Sequence, residues 1–300
     1  MSLHHQDDIE HDYADLGDVR LHYAHAGQGP LMVFVHGFPQ CWHMWRHQLA
    51  EFDRDHLVLA PDLRGYNLSS KPAGLHEYGP WPAARDIKAL LESIDRERLV
   101  LVGHDWGAAT AWTFALHHPD MLDALVILAT PHPATFDWAL REDPEQQHAS
   151  QYLLGLRRPE VEPLLAAEDF AALRATLAHP FLDDEDMRHY LQSWRQPGAL
   201  TGMLNWYQRE GLGPSENGVP ARGNYAPQVT PLTIEVPTLV LYPSADIYTR
   251  PLAHHGLDKY VPDLTFRTIE GATHWIAEEH PQLVNQYIRA FLETIGQRQP

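Results

Sequence analysis

An aspartate, Asp105, lies between two glycines in the segment Gly-His-Asp-Trp-Gly that spans residues 103–107. The segment follows a short apolar run and precedes a stretch rich in small residues that is typical of a helix. A side chain at such a strand–turn–helix corner is lifted away from the strand end, where it can act as a nucleophile. A carboxylate nucleophile attacks a saturated carbon and forms an ester, which water must then hydrolyse. We therefore expect covalent catalysis on Asp105.

Two further side chains near predicted strand ends could complete this chemistry. His274 follows the last predicted strand, and Asp246 follows the strand before it. A histidine can remove a proton from the hydrolytic water, and an aspartate can hold the imidazole in the required tautomer. Ester hydrolysis also develops an oxyanion, which needs N–H donors. The candidate donors are the backbone N–H groups of Trp106, next to the nucleophile, and of Phe38, in the turn His-Gly-Phe-Pro.

Other polar residues near strand ends are expected to be structural. His104 precedes the nucleophile and should point the other way, into the sheet. His36 is expected to be structural as well, and Asp62 and Arg64 should organise a turn.

The elements that must position these residues can be predicted from apolar patterning. Continuous apolar runs predict strands that are buried on both faces of a mostly parallel sheet, and the alternating segment 19–25 predicts an antiparallel strand. Helical spacing predicts helices over 81–94, 108–117 and 281–294. This alternation of strands and helices indicates a doubly wound α/β sheet, whose ligands bind at the carboxyl ends of the strands. The predicted buried strands are 31–35, 57–60, 99–102, 124–129, 238–242 and 264–269.

One connection is too long to be a plain crossover. No run that fits the sheet occurs between residues 130 and 236, whereas such connections usually take about 2–6 residues. Helix-like patches occur instead, at 136–140, 151–156, 169–178, 184–194 and 198–209, before a Gly- and Pro-rich return over 211–231. We therefore predict a core domain of residues 1–131 and 232–300, with a helical cap inserted at 132–231.

Composition excludes several classes of function. The 300 residues are 44% hydrophobic with a formal net charge of −18, which predicts a globular protein that repels nucleic acid and anionic membrane. No apolar run is long enough to span a membrane, and the acidic N-terminus lacks the features of a signal peptide. The single Cys41 excludes an internal disulfide and a multi-cysteine metal site. We expect a cytoplasmic monomer or homodimer.

The chain resembles the epoxide hydrolases of the α/β-hydrolase fold over nearly its whole length. The matching pieces are His-Gly-Phe-Pro at 36–39, Asp-Leu-Arg-Gly-Tyr at 62–66, Ser-Lys-Pro at 70–72, Gly-His-Asp-Trp-Gly at 103–107, Gly-Met-Leu-Asn-Trp-Tyr at 202–207 and Gly-Ala-Thr-His-Trp at 271–275. The resemblance implies an α/β-hydrolase fold, a mostly parallel doubly wound sheet with an inserted helical cap, and no cofactor or metal.

The same resemblance assigns two cap tyrosines to the site. Tyr207 and Tyr152 match the phenols that donate to the epoxide oxygen in this family, although Gln151 stands where a Trp is common. An opening epoxide leaves an alkoxide, which a phenol can protonate. The implied substrate is a small-molecule epoxide, which Trp106 and Phe38 help to bind, and the product is a vicinal diol.

Two alternatives and one departure remain at this point. A haloalkane dehalogenase shares the aspartate nucleophile, but Phe38 occupies the position where many dehalogenases place an Asn donor. The other alternative is a non-catalytic binding protein on the same fold; such proteins often lose a member of the catalytic set, and none is missing here. Asn67 replaces a Gly that is frequent in the family, and since Asn tolerates a left-handed backbone, the turn should survive.

Overall fold

The computed structural model describes residues 9–208 and 231–297, and these residues form one sheet of eight strands. Since β2 pairs antiparallel with β1 and β4 while the other neighbours pair parallel, the predicted mostly parallel sheet is confirmed. The spatial order is β1-β2-β4-β3-β5-β6-β7-β8. The strands are Glu10–Asp15 (β1), Arg20–Ala26 (β2), Leu31–Val35 (β3), Leu57–Pro61 (β4), Leu99–His104 (β5), Leu122–Leu128 (β6), Thr238–Pro243 (β7) and Leu264–Ile269 (β8).

The chain order reverses between β3 and β5, which are neighbours in the centre of the sheet. Every residue of both strands is buried. From β3 the chain moves to β4 on one side, and from β5 it continues to β6 on the other. The turns that follow β3 and β5 therefore open into the crevice where open α/β sheets bind ligands.

The two sheet edges depart from the sequence prediction. β1 was not predicted, because five of its six residues are exposed and the strand carries no apolar run. β8 was predicted as a strand buried on both faces, which is wrong, because only Ile269 in it is fully buried. An edge strand has one neighbour, so the apolar pattern is weakest there.

Helices cover both faces of the sheet. Met32 and Phe34 of β3 pack in one cluster with the helices Arg46–Phe52 (α1), Ile276–Glu279 (α10) and Pro281–Gly296 (α11). Val33 and Val35 pack in a second cluster with Pro80–Ser93 (α2) and Trp106–His117 (α3). The predicted helices correspond to α2, α3 and α11, whereas α1 was missed. No helix in the described part of the chain is long and apolar enough to cross a membrane.

The described residues between β6 and β7 form helices and contain no strand. They are Pro133–Glu142 (α4), Pro144–Ala149 (α5), Tyr152–Leu156 (α6), Val161–Thr176 (α7), Asp184–Trp194 (α8) and Ala199–Gln208 (α9). We refer to α4–α9 as the insertion helices. All the predicted helix-like patches overlap them, but α7 is kinked at residues 167–170, where Glu168, Asp169 and Phe170 have positive φ. Of the irregular return predicted at 211–231, residues 211–230 lie outside the described residues.

Candidate active site

Asp105 occupies a strained corner between β5 and α3. Its φ of 52° and ψ of −123° are unfavourable for a residue with a side chain. The flanking glycines make the corner possible, since a Cβ on Gly107 would lie 2.0 Å from the Val35 carbonyl oxygen. A Cβ on Gly103 would lie 2.5 Å from the Gly107 carbonyl oxygen. The fold thus tolerates local strain in order to present the Asp105 carboxylate, as the sequence predicted.

The structure brings the three predicted triad residues together. His274 Nδ1 lies 2.8 Å from Asp246 Oδ2, and its Nε2 lies 3.6 Å from Asp105 Oδ2. The other Asp246 oxygen accepts hydrogen bonds from the backbone N–H groups of Tyr248 and Thr249, at 2.7 and 3.2 Å. Asp246 is fully buried and held on both oxygens, so it fixes the orientation of the His274 ring.

The electrostatics of this group favour an ion pair. Burial alone would lower the pKa of His274, but the charges of Asp246 and Asp105 and their hydrogen bonds outweigh it and raise that pKa to about 10. Burial would also raise the pKa of Asp105, yet the His274 contact outweighs it and lowers that pKa below its ordinary value. At neutral pH the site therefore holds the Asp105 carboxylate beside an imidazolium.

The turn after β3 brings a donor to the nucleophile. The Phe38 backbone N–H donates to Asp105 Oδ1 at 2.7 Å. This close approach requires Gly37, because a Cβ there would lie 2.2 Å from that Oδ1 and 2.6 Å from the Trp106 backbone nitrogen. Gly37 thus lets the turn approach both the carboxylate and the Trp106 backbone nitrogen.

Both predicted tyrosines line a cavity of about 990 Å³, and Asp105, His274 and Phe38 line the same cavity. Tyr207 on α9 is buried, with its ring 5.2 Å from the rings of both Phe38 and Trp106. Tyr152, at the start of α6, is 36% exposed. Burial and the charge of Asp105 raise the pKa of Tyr207 well above its ordinary value, so this phenol keeps its proton.

The remainder of the large cavity is mainly apolar. Leu156, Val161, Leu165 and Leu173 of the insertion helices contribute to its wall. Trp106, predicted to bind substrate, lines an adjoining cavity of about 30 Å³ together with Asp105 and His274.

The residues predicted to be structural are buried and hydrogen-bonded. His104 is fully buried, its Nε2 donates to the His274 carbonyl oxygen at 2.8 Å, and burial together with the charge of His274 lowers its pKa to about 4. His36 contacts the Gly37 carbonyl and the Leu63 N–H. Asp62 accepts from the Trp42 N–H and from Asn67, whose φ of 38° is the left-handed turn conformation that the sequence predicted.

Sequence reasoning missed Tyr248, which also lines the large cavity. Its position in the loop after Asp246 carries no motif, and only its closeness to the triad acid could have indicated it. Within residues 9–208 and 231–297, no cluster of three or more His, Cys, Asp or Glu side chains could hold a metal ion.

Comparison with known proteins adds independent evidence. The family model described as the alpha/beta hydrolase fold matches residues 30–281. The AB hydrolase superfamily protein YfhM of Bacillus subtilis is 33% identical over 295 residues, which cover 96% of this chain and 99% of the relative. Epoxide hydrolase 3 of Xenopus tropicalis is 33% identical over 301 residues, covering 95% of this chain and 78% of the relative.

A solved structure is similar over the same extent. A variant of an epoxide hydrolase from Bacillus megaterium, complexed with its naphthyloxy-propane-diol product, superposes with a TM-score of 0.89. It is 34% identical, and the match covers 94% of this chain and 100% of that one.

Proposed function

This chain belongs to the epoxide hydrolase family of the α/β-hydrolase fold, and we propose that it converts epoxides to vicinal diols through an ester on Asp105. One observation carries the proposal. Two phenols, Tyr152 and Tyr207, line the same cavity as Asp105 and His274. A nucleophile that faces proton donors across one cavity suits a substrate whose leaving oxygen stays attached and needs a proton.

In the first half-reaction the Asp105 carboxylate attacks an epoxide carbon and the C–O bond of the ring breaks. The low pKa of Asp105 keeps its carboxylate charged, and the raised pKa of Tyr207 keeps its phenol protonated. Tyr207 and Tyr152 hydrogen-bond the oxygen as it becomes an alkoxide. The proton that this alkoxide finally gains is supplied by the His274 imidazolium.

Ester formation prepares the second half-reaction. Asp105 loses its charge when it becomes an ester, so the pKa of His274 falls and the imidazole becomes a base. His274 then takes a proton from water, whose oxygen attacks the ester carbonyl, and Asp246 stabilises the imidazolium. The N–H groups of Phe38 and Trp106 hold the oxyanion. Its collapse breaks the bond to the diol oxygen, which leaves as an alkoxide and takes the proton of the newly added hydroxyl. This transfer releases the diol and restores the Asp105 carboxylate beside the imidazolium.

We also propose that residues 132–231 act as a cap over a core of residues 1–131 and 232–300. Support comes from the contacts of the insertion helices with the core. Trp194 Nε1 of α8 donates to the Pro39 carbonyl at 2.6 Å, and Trp206 Nε1 of α9 donates to the Arg64 carbonyl at 3.0 Å. The Trp206 contact ties α9, which also carries Tyr207, to the core and so supports the cap proposal.

The function is tested by offering styrene oxide and a bromoalkane side by side and measuring diol and bromide. We expect diol formation without bromide release, and we expect Asp105→Ala to lower diol formation about a thousandfold or more. The matched control is Asp258→Ala, because Asp258 is an exposed aspartate outside the cavity. Bromide release without diol would instead assign the chain to the haloalkane dehalogenases.

A further inference from the structure

Tyr248 lies between Tyr152, which acts in the proposed first half-reaction, and His274, which acts as the base in the second. It follows β7 by five residues, and its side chain is partly buried in the wall of the large cavity. Its ring centroid is 5.0 Å from the ring of His274, with an angle of 74° between the planes. The same ring is 5.0 Å from the ring of Tyr152, at 66°. One side chain therefore contacts both the base of the second half-reaction and a proton donor of the first.

The backbone of Tyr248 is fixed from two sides. Its N–H donates to Asp246 Oδ1 at 2.7 Å, which ties it to the triad acid. Its carbonyl accepts from Gln146 Nε2 of α5 at 2.8 Å, and Gln146 Oε1 accepts from the Arg250 N–H at 2.8 Å. Gln146 is fully buried, so this clamp joins the loop after β7 to the insertion helices.

The same clamp extends to the segment that carries Tyr152. Gln146 Nε2 also donates to Ser150 Oγ at 2.9 Å, two residues before Tyr152. Tyr152 is itself 36% exposed, so burial restricts its side chain less than it restricts Tyr207, which is 3% exposed. The ring of Tyr248 forms one wall against which Tyr152 packs.

The contact with His274 has a comparable effect. Asp246 holds the imidazole at Nδ1, and the tilt of the ring also depends on the aromatic rings packed against it. The rings of His104 and Trp275 contact it at 4.6 and 5.1 Å, and Tyr248 adds a third ring. An aromatic ring packed in a T-shape against it restricts that tilt, because such contacts have a preferred geometry. The tilt decides whether Nε2 faces the nucleophile and its ester.

We propose that Tyr248 is a positioning residue that holds the Tyr152 phenol and the His274 imidazole at once. This inference rests on the proposed function. It assigns the effect to the ring of Tyr248 and not to its hydroxyl. Loss of the ring must therefore slow both half-reactions, whereas loss of the hydroxyl alone must slow neither.

The test compares Tyr248→Leu with Tyr248→Phe in single turnovers of styrene oxide with excess enzyme. Rapid quenching and intact-protein mass spectrometry give the rates at which the ester forms and disappears. We expect Tyr248→Leu to lower both rates about tenfold or more, because small errors in the position of reacting groups are costly. We expect Tyr248→Phe to restore both rates to within about twofold of the wild type, a rescue that the ring geometry requires.

The control is Tyr260→Leu. Tyr260 also stacks on a histidine, with its ring centroid 5.1 Å from that of His132, but it does not line the large cavity. Its rates should match the wild type. Should Tyr248→Leu fail to fold, Tyr248→Met takes its place, because Met fills irregular space.

Each other outcome has a definite meaning. Wild-type rates in folded Tyr248→Leu would overturn the inference, and so would an equal loss in Tyr248→Phe, which would assign the effect to the hydroxyl. Slowing of one half-reaction alone would also overturn it. A wild-type protein that forms no ester with the epoxide would refute the proposed function instead.

Discussion

Asp105 and His274 hold opposite charges before any substrate binds, and the chemistry depends on how one charge affects the other. The carboxylate is 3.6 Å from the imidazole Nε2, and the pKa of His274 is raised to about 10. Alkylation removes the negative charge of Asp105 and with it part of the cause of that raised pKa. In the proposed mechanism, Asp105 therefore controls when His274 can act as a base.

This coupling predicts a pH dependence. Hydrolysis needs neutral His274, so it should slow as the pH falls through the lowered pKa of His274 in the ester. Ester formation needs charged Asp105 and protonated His274, and since the pKa of Asp105 is low, this step should persist at more acidic pH. His104, which also faces His274, has a pKa of about 4, so it stays neutral at pH values above that. The fraction of enzyme present as ester, measured by intact mass at steady state, should rise as the pH falls. A fraction that falls with the pH would contradict the coupling.

A second prediction concerns the two phenols. Tyr152→Phe combined with Tyr207→Phe should lower the rate of ester formation by about a hundredfold or more, because general acid catalysis typically contributes that much. Rapid quenching of single turnovers of styrene oxide measures the rate of ester formation. The matched control is Tyr260→Phe, because Tyr260 lies outside the large cavity. Substantial diol formation by the double variant would show that the phenols do not activate the epoxide.

At the scale of elements, a buried polar network joins helix α8 to the core. Arg46 of α1 pairs with Asp186 of α8 at 2.9 Å and also with Glu278 of α10. His43 Nε2 lies 2.8 Å from the second Asp186 oxygen, and Tyr190 of α8 donates to Glu278 at 2.7 Å. Because Glu278 lies four residues after His274, the network connects the insertion helices to the loop that carries the base.

We expect Asp186→Asn to lower the free energy of unfolding by about 3 kcal/mol, since an amide cannot satisfy the donors of both Arg46 and His43. Urea unfolding measures the loss. Asp184→Asn is the control, because Asp184 is an exposed residue in the same first turn of α8 and should cost less than about 0.5 kcal/mol. If both variants lost the same free energy of unfolding, the polar network would contribute no more to stability than a charge at the start of α8 does.

The elements also show what the sequence could and could not predict. β3, β5, β6 and β7 were predictable because both faces are buried, which makes each strand a continuous apolar run. β1 left no such pattern because it is an exposed edge. Helix α8 was predicted with its bounds. Its residue Asp186, however, pairs with Arg46, which is 140 residues away in the sequence, and no local pattern specifies a pairing over that distance.

At the scale of the whole molecule, the site exists only when three distant parts of the chain meet. Phe38 and Asp105 come from the first half, Tyr152 and Tyr207 from the insertion helices, and His274 from the C-terminal part. The triad was predictable because each member follows a strand and parallel strands end at one edge of the sheet. Tyr248 was not, because its contacts with Tyr152 and His274 depend on the packing of the insertion helices against the loop after β7.

The central claim is that the oxygen added to the epoxide comes from Asp105 and not directly from water. A single turnover of styrene oxide with excess enzyme in oxygen-18 water tests it most directly, with mass spectrometry of the diol and of the peptide that contains Asp105. Attack by Asp105 gives an unlabelled diol and one oxygen-18 atom in the Asp105 carboxylate. A labelled diol with an unlabelled Asp105 would show that water attacks the epoxide directly, and would refute the covalent mechanism.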